Sequence, residues 1–248
     1  MTAPIVIKIS GHELDDAEYL AQFATVIRTF DSPVVIVHGG GKEISALQAE
    51  MGIDPKYVDG IRITDAASLQ LVEMVLCGTV NKRLTRTLVN NGVDALGMSG
   101  VDMGLVRAEK MQVPGQDMGF TGVAVGVRGD VLLDLLARHI TPVIAPICIG
   151  ENHNYNVNAD HVAGAIGGTL DAAQLVFLSN VPGVLLDGAV LPHLTPAKTE
   201  AMIASGAIFG GMIPKVRTAL HALEDGVKQA VITDLDGLMA RGGTVFTP

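Results

Sequence analysis

The stretch Val34-Val-Ile-Val-His-Gly-Gly-Gly-Lys42 decides how the rest of the chain is interpreted. Its four β-branched aliphatic residues predict a strand buried on both faces, as in parallel sheets. Three glycines follow at once, and a helical pattern begins at Glu43. Glycines let the backbone approach a ligand closely, and the free N–H groups of a helix N-terminus point at negative charge. The stretch therefore indicates an anion site, although a short turn without a ligand remains an alternative.

Composition limits the classes of protein and partner. The 248 residues are 48% hydrophobic and 17% charged, which is enough for a large core. A net charge of −9 argues against a nucleic-acid or anionic-membrane partner, so any polyanion must be held by local donors. No apolar run approaches the ~20 residues of a membrane span. Cys77 and Cys148 lack metal-site spacing, and we expect a cytoplasmic globular protein.

Strands and helices alternate along the chain. We predict strands over residues 5–10, 34–37, 95–98, 141–149, 174–178, 229–233 and 244–246, with hairpins within 58–63 and 105–128. We predict helices over 43–51, 65–90, 130–139, 159–170, 196–205 and 212–225, and one that is capped at Asp15 and runs to about Phe30. This order predicts one α/β domain with a mainly parallel sheet and helices on both faces. Ligands of such sheets lie at the carboxyl ends of the strands.

Two lysines and an aspartate are candidates for charge chemistry. Lys8 lies within an apolar strand, where a buried ammonium group needs a partner, although a shorter strand would leave it at the end. Lys215 lies in the first turn of a helix, where the helix dipole disfavours a cation unless a phosphate is held there; a surface lysine is the alternative. Asp160 begins its helix and is either a lysine partner or an ordinary first-turn acid.

Neutral donors and an arginine accompany these charges. Asn156 and Asn158 precede Asp160 and are either substrate donors or loop and cap residues. Arg62 follows the Asp59-Gly60 turn, and its planar guanidinium suits a carboxylate, though a lone arginine is more often a surface residue. The sequence contains no Walker A loop, no dinucleotide fingerprint, no metalloprotease motif and no nucleophile elbow.

Six short stretches together resemble the amino acid kinase family, over nearly the whole chain from Ile5 to Phe246. They are Val6-Ile-Lys-Ile-Ser-Gly11, Val37-His-Gly-Gly-Gly41, Gly60-Ile-Arg-Ile-Thr64, Asn156-Val-Asn-Ala-Asp160, Leu178-Ser-Asn-Val-Pro-Gly-Val184 and Gly210-Gly-Met-Ile-Pro-Lys215. Each is weak alone, but all six in this order are specific. Within the family, the chain is most similar to the enzymes that phosphorylate N-acetyl-L-glutamate.

The resemblance implies a fold, a reaction and a set of residue roles. The fold is a three-layer αβα sandwich with an open, mainly parallel sheet, an N-lobe (about 1–170) for the acetylated amino acid and dimerisation, and a C-lobe (about 171–248) for the nucleotide. The reaction is ATP-dependent phosphorylation of the side-chain carboxylate, in arginine biosynthesis, with Mg²⁺ carried by ATP and no metal held by the protein. The implied catalytic residues are Lys8, Lys215 and Asp160, and the implied substrate contacts are Gly40, Gly41, Arg62 and Asn156. The implied nucleotide contacts are Ser10, Gly11, Ser179, Asn180, Val181, Pro182, Gly183, Val184, Ala207, Ile208, Phe209, Gly211 and Met212.

Two positions depart from the family pattern. Ser10 stands where the family usually has a glycine, and Asn180 stands where it often has an aspartate. The serine side chain could crowd the phosphates or donate a hydrogen bond to them, and the asparagine removes a charge beside the nucleotide. Both changes concern affinity and rate more than reaction type.

Two other functions and an oligomeric state complete the sequence-based expectations. Residues 73–83 also resemble kinases of aminoadipate or glutamate attached to an acidic carrier protein, and a catalytically weak amino-acid sensor is a further alternative. Larger arginine-inhibited members carry an extra helix before the first strand, whereas only Met1–Pro4 precede it here. We therefore expect a homodimer through the N-lobe and the long helix at 65–90, without arginine feedback.

Overall fold

The computed structural model describes residues 2–9, 12–58 and 60–248, with the backbone alone at His12 and Glu13. The strands are β1 Ile5–Ile9, β2 Val34–His38, β3 Lys56–Val58, β4 Ile61–Ile63, β5 Ala95–Gly100, β6 Val106–Lys110, β7 Thr121–Val127, β8 Thr141–Ile149, β9 Asn154–Val157, β10 Gln174–Leu178, β11 Leu185–Leu186, β12 Ala189–Val190, β13 His193–Leu194, β14 Ala230–Thr233 and β15 Thr244–Phe246. The α-helices are α1 Ala17–Ile27, α2 Gly41–Glu50, α3 Ala66–Glu73, α4 Asn81–Asn90, α5 Gly129–Ala137, α6 Ala159–Thr169, α7 Pro196–Ala204, α8 Met212–Glu224 and α9 Leu235–Ala240. A π-helical segment, Met74–Val80, joins α3 to α4, and short 3₁₀ turns span His12–Asp15 and Asp102–Gly104.

A mainly parallel sheet forms the centre of the fold. Its strands follow the order β13, β15, β14, β10, β1, β2, β8, β6, β7, β9, and β5 pairs with β8. The pairs formed by β1 with β10 and β2, by β10 with β14, and by β8 with β2 and β5 are parallel. Antiparallel pairs lie toward the two edges, where β15 joins β14 and where β6 joins β7. The predicted α/β fold with a mainly parallel sheet is confirmed.

The core lies on both faces of this sheet. Along β1, Val6 belongs to one buried apolar cluster, whereas Ile5, Ile7 and Ile9 belong to the other. Successive strand residues point to opposite faces, so one apolar strand supplies both clusters. Helices α6 and α8 cover the face of Val6, and α1 and α4 cover the opposite face. Lys8 shares the parity of Val6, which places its side chain on the α6 side of the sheet.

The long helical pattern at 65–90 is one continuous helical run with a π-helical middle. Asp65 caps it, because its carboxylate accepts a 2.8 Å hydrogen bond from the backbone N–H of Ser68. Gly78 lies within this π-helical segment, Met74–Val80. Such segments inside α-helices often occur at functional sites. None of the helices in the described part of the chain is long and apolar enough to cross a membrane.

Some boundary predictions were wrong. Asp16, not Asp15, caps α1, because its carboxylate accepts hydrogen bonds from the N–H groups of Glu18 and Tyr19 at 2.9 and 3.1 Å. Asp15 instead forms an ion pair with Lys42. Helix α1 ends at Ile27 rather than near Phe30. The short strands β9, β11, β12 and β13 were not predicted, because two to four residues carry too little periodicity to be recognised.

Candidate active site

A small cavity lies at the carboxyl edge of the sheet, where the glycine loop after β2 meets β9 and the hairpin of β3 and β4. Its volume is about 160 Å³. All four residues expected to contact a substrate, Gly40, Gly41, Arg62 and Asn156, line it. Gly40 and Asn156 are more than a hundred residues apart in sequence, and the parallel topology brings the segments to one edge.

The glycine loop is rigidly attached to the sheet. The N–H of Gly39 donates to the carbonyl oxygen of Ile9 at 2.9 Å, which continues the pairing of β1 with β2. A Cβ on Gly40 would lie 2.7 Å from Cδ2 of Leu76 in the π-helical segment, so the loop packs where only glycine fits without a shift. A Cβ on Gly41 would meet no atom within 4 Å. Because α2 begins at Gly41, its free N–H groups lie beside the cavity and suit an anion.

Buried His38 is hydrogen-bonded to the glycine loop. The Nδ1–H of His38 donates to the carbonyl oxygen of Gly39 at 2.8 Å, and its Nε2 accepts from the side-chain amide of Asn81 at 3.1 Å. The same amide donates to the carbonyl oxygen of Val143 at 2.9 Å, so the network also reaches β8. A carbonyl oxygen can only accept, so Nδ1 carries a proton. Because Nε2 accepts from the amide of Asn81, it carries none, and the ring is neutral. Burial lowers the pKa of His38 from 6.5 to about 4, which keeps the ring neutral.

We expect His38 to make the folded protein less stable as the pH falls. Between pH 6.5 and about 4 the unfolded chain binds a proton on this residue and the folded protein does not. The free energy of unfolding therefore decreases as the pH falls through that window, by about 2 kcal/mol from this residue at about pH 5. Urea unfolding at about pH 7.5 and about pH 5 measures the effect. His38→Asn does not titrate and should lose less stability than the wild type; an equal loss in both proteins would contradict the assignment.

Lys8 and Asp160 form an ion pair at the edge of the cavity region. Their Nζ and Oδ1 atoms lie 2.8 Å apart, and the side chains are 14% and 22% exposed. Asp160 is in the first turn of α6, and the cap of this helix is Asn158, whose Oδ1 accepts from the N–H of Asp160 at 2.8 Å. The sequence left open whether Lys8 lies at a strand end. In the structure it is the fourth of the five residues of β1, and its ammonium group reaches across to α6.

Lys215 lies in α8, and its side chain reaches the same carboxyl edge of the sheet. Its Nζ donates to Oγ of Ser179 at 2.6 Å and to Oδ1 of Asn180 at 3.5 Å. Ser179 follows β10, the neighbour of β1, and Ile9 is paired with Leu178 at the ends of these strands. The ammonium group of Lys215, which belongs to α8, therefore lies at the carboxyl end of β10, the neighbour of the strand that carries Lys8.

Arg62 and Asn156 are joined by two threonine hydroxyl groups. The Asn156 side-chain amide donates to Oγ1 of Thr64 at 3.0 Å. The Thr121 hydroxyl lies 3.1 Å from the Thr64 hydroxyl and donates to the carbonyl oxygen of Arg62 at 2.6 Å. Thr64 and Thr121 are almost fully buried. Hydroxyl bonds that cross from β7 to the hairpin thus hold the arginine and the asparagine at the same cavity.

The residues expected around a nucleotide differ widely in the exposure of their side chains. Gly183 has a φ of +151°, and a Cβ there would lie 2.7 Å from the hydroxyl of Thr244. The side chains of Val184 and Ile208 are buried in the core, so these two can reach a ligand only through the backbone. Phe209 is 74% exposed.

The remaining expected nucleotide contacts lie near these. Ser179, Asn180, Val181 and Pro182 form the loop after β10, Ala207 packs against the core, and Gly211 and Met212 begin α8. Ser10 and Gly11 lie outside the described residues. The roles of all these residues stay predictions.

Sequence reasoning missed the side chains that hold the site together. They are Ser45, Gln48, Thr64 and Thr121, together with Leu76 as a lining residue. One signal was available for Gln48, which follows Ile44 by four residues. It therefore falls on the buried face of α2, where a polar side chain requires a partner. Thr121 gave no local signal, because its partners lie 57 and 59 residues away.

Comparison with known proteins decides the family. The amino acid kinase family matches residues 3–234 of the chain. The chain belongs to the amino acid kinase family. The acetylglutamate kinase of Chloroflexus aurantiacus is 52% identical over 249 residues, covering 100% of this chain and 98% of that protein. The acetylglutamate kinase of Roseiflexus sp. strain RS-1 is 51% identical over 243 residues, covering 98% of this chain and 93% of that protein.

A solved structure extends the comparison to the fold. N-acetylglutamate synthase from Neisseria gonorrhoeae, complexed with coenzyme A and N-acetyl-glutamate, superposes with a TM-score of 0.85 at 23% identity. The match covers 99% of this chain and 59% of that one. At this identity the likeness concerns the fold alone. The open sheet with helices on both faces is thus the amino acid kinase fold that the sequence motifs predicted.

Proposed function

We propose that this amino acid kinase transfers the γ-phosphoryl group of ATP to the side-chain carboxylate of N-acetyl-L-glutamate, yielding N-acetyl-L-glutamyl 5-phosphate. The observation that carries the proposal is the cavity that gathers Gly40, Gly41, Arg62 and Asn156 at the sheet edge that also carries Lys8 and Asp160. The acetylglutamate kinases that match over full length supply the choice of substrate. The reaction belongs to arginine biosynthesis.

The attacking group needs no base. A glutamate-type carboxylate has a pKa near 4.3 and is ionised at neutral pH. Phosphoryl transfer then requires alignment of nucleophile and leaving group, and cations or N–H donors around the equatorial oxygens. In the proposal the Gly40-Gly41 amides and Lys8 contact the transferring group, and Lys215 contacts it from the nucleotide side. Asp160 orients Lys8 through their 2.8 Å ion pair.

Arg62 and Asn156 would bind the part of the substrate that does not react. The guanidinium of Arg62 suits a carboxylate, and the amide of Asn156 suits a neutral carbonyl or carboxylate oxygen. Binding energy from these groups places the side-chain carboxylate against the phosphoryl group. Because the chain carries a net charge of −9, the cations Lys8, Arg62 and Lys215 have to offset its repulsion of an anionic substrate.

We propose that Mg²⁺ enters with ATP. The described residues include no group of three histidine, cysteine, aspartate or glutamate side chains arranged to hold a metal ion. Mg²⁺ commonly keeps several waters and binds through substrate phosphates. Mg²⁺ that arrives with the nucleotide would offset negative charge on the phosphates.

We also propose a cytoplasmic homodimer. The helical run from α3 to α4 carries exposed apolar side chains, including Met74 (58% exposed) and Val89 (51% exposed), which a partner subunit would cover. Size-exclusion chromatography with light scattering would give the mass of a dimer. A hexamer would contradict the proposal.

The experiment that tests the reaction is ATP consumption with the acyl phosphate trapped by hydroxylamine. N-acetyl-L-glutamate, N-acetyl-aminoadipate and glutamate are compared at equal concentrations. We expect rapid turnover and hydroxamate formation with N-acetyl-L-glutamate and much slower turnover with the other two. Absence of turnover on every free amino acid would contradict the proposal; turnover on a carrier-linked substrate would then support the carrier-linked reaction, and ligand binding without turnover would support a sensor.

A further inference from the structure

The guanidinium of Arg62 is held by two uncharged side chains of α2. Its Nη2 donates to Oγ of Ser45 at 2.9 Å, and its Nη1 donates to Oε1 of Gln48. The group also lies over the ring of Tyr57, 4.9 Å from the ring centre. The Ser45 hydroxyl in turn donates to the carbonyl oxygen of Gly41 at 2.9 Å. Arg62 is thus connected through Ser45 to Gly41 at the end of the glycine loop.

Gln48 is fixed at both ends of its amide. The residue is fully buried, and its Nε2 donates to Oγ of Ser68 at 3.1 Å. Ser68 is 3% exposed and is held in the first turn of α3 by its N–H bond to Asp65. A buried amide is costly unless its donor and acceptor are both paired. Because the guanidinium of Arg62 can only donate, the oxygen of the Gln48 amide faces Arg62 and its nitrogen faces Ser68.

We infer that Gln48 is a positioning residue that orients Arg62 toward the anionic substrate without neutralising its charge. The inference rests on the proposed function. A carboxylate is a strong and geometrically suited partner of arginine and would hold the guanidinium equally well. At this position a carboxylate would offset the positive charge that the substrate has to meet. An amide supplies the same acceptor geometry and leaves the charge available.

Because Arg62 is half-buried, the difference between an amide and a carboxylate as its partner is large. The side chain of Arg62 is partly buried, and this burial lowers the pKa of its guanidinium from the ordinary value. Charges in such settings interact more strongly than charges in water. A carboxylate next to the guanidinium would therefore compete directly with the carboxylate of the substrate.

The test compares Gln48→Glu with Gln48→Met and with the control Gln70→Glu. Gln70 lies on α3 and is exposed, so its replacement makes the same change of net charge away from Arg62. We expect Gln48→Glu to raise the KM for N-acetyl-L-glutamate by about 30-fold or more, with kcat and the KM for ATP within about threefold of wild type. Gln48→Met removes the acceptor but keeps the charge, and we expect a rise of about fivefold. Gln70→Glu should change the KM by less than about twofold.

Ionic strength provides a readout that a merely structural role would not change. In the wild type, added salt should raise the KM for N-acetyl-L-glutamate, because an uncompensated cation attracts an anion. In Gln48→Glu this dependence should be much weaker. Equal KM values in Gln48→Glu and Gln70→Glu, or an unchanged salt dependence, would overturn the inference. A loss of kcat with unchanged KM for both substrates would overturn it as well.

Calorimetric binding of N-acetyl-L-glutamate separates this inference from the proposed function. If the wild type binds the compound without phosphorylating it, the proposed reaction fails, and the ratio of dissociation constants between variants still tests Gln48. The buried glutamate could prevent folding, which would be seen as a lost unfolding transition in urea. In that case the dissociation constant of Gln48→Met tests the inference. An unchanged dissociation constant in that variant would overturn the inference.

Discussion

Replacing Lys8 with alanine is expected to lower kcat by about 10²–10³-fold, with the KM for N-acetyl-L-glutamate changed by less than about tenfold. The reason is that the ammonium group is proposed to meet charge on the equatorial oxygens, which is greatest in the transition state. The side chain of Lys8 is only 14% exposed, so little solvent is available to stabilise the developing negative charge once the ammonium group is removed. Steady-state kinetics with hydroxylamine trapping measures both constants.

The matched control is Lys42→Ala. Lys42 belongs to the glycine motif, but its Nζ pairs with the Asp15 carboxylate at 2.6 Å in an exposed setting, with the side chains 46% and 42% exposed. Exposed pairs contribute little, so kcat should stay within about twofold of wild type. Equal losses in both variants would indicate a general effect of charge near the loop and would contradict the role of Lys8. Unfolding in urea shows whether Lys8→Ala remains folded.

A double variant tests whether Asp160 acts through Lys8. If the carboxylate of Asp160 only orients the ammonium group, its removal should add little once Lys8 is gone. The kcat of Lys8→Ala, Asp160→Ala should then be within about threefold of that of Lys8→Ala. Losses that multiply would instead indicate an independent contact between Asp160 and the reacting groups.

The centre of the fold could be predicted because its signals are local. Strands β8 and β10 were predicted with their observed bounds, Thr141–Ile149 and Gln174–Leu178, since long apolar runs between polar residues leave little choice. The edges of the sheet could not. Strand β9, Asn154–Val157, alternates polar and apolar residues over four positions and is defined by its pairing with β8 and β7.

The sequence singles out the charged residues of the candidate site but not the side chains that support them. Lys8 and Lys215 stand out in a sequence because a cation in an apolar strand, or at a helix N-terminus, is locally unfavourable. Their neutral partners carry no such conflict. Ser179 is an ordinary turn residue until Lys215, 36 positions later, donates to its hydroxyl. Supporting residues of this kind become visible only when tertiary contacts are known.

The small-residue face of α6 links the packing of the fold to the geometry of the site. A Cβ on Gly168 would lie 2.2 Å from the backbone carbonyl oxygen of Asp225, the residue that caps the C-terminal end of α8. A Cβ on Gly164 would lie 2.3 Å from the carboxylate of the same residue. Glycine at these positions permits close approach of the two helices. Helix α6 carries Asp160 and α8 carries Lys215, so this contact sets the relation between the two candidate catalytic groups.

Gly168→Ala is therefore expected to reduce both stability and activity. A backbone oxygen cannot rotate away, so one helix must shift, and overpacking of this kind costs about 3 kcal/mol in the free energy of unfolding. The same shift displaces Lys215 relative to Asp160, and we expect kcat to fall by about tenfold. Urea unfolding and steady-state kinetics on the same preparations measure the two effects.

Two other glycines test the explanation. Gly78 is exposed in the π-helical segment, and a Cβ there would meet no atom within 4 Å, so Gly78→Ala should keep wild-type activity and gain about 0.5 kcal/mol. In Gly164→Ala the added Cβ meets the side chain of Asp225, which can rotate. The loss of stability should therefore be smaller than in Gly168→Ala, whereas Gly78→Ala should lose none. A Gly168→Ala protein as stable as the wild type would show that α6 and α8 can separate freely. The close contact of these helices would then not be what sets the distance between Asp160 and Lys215.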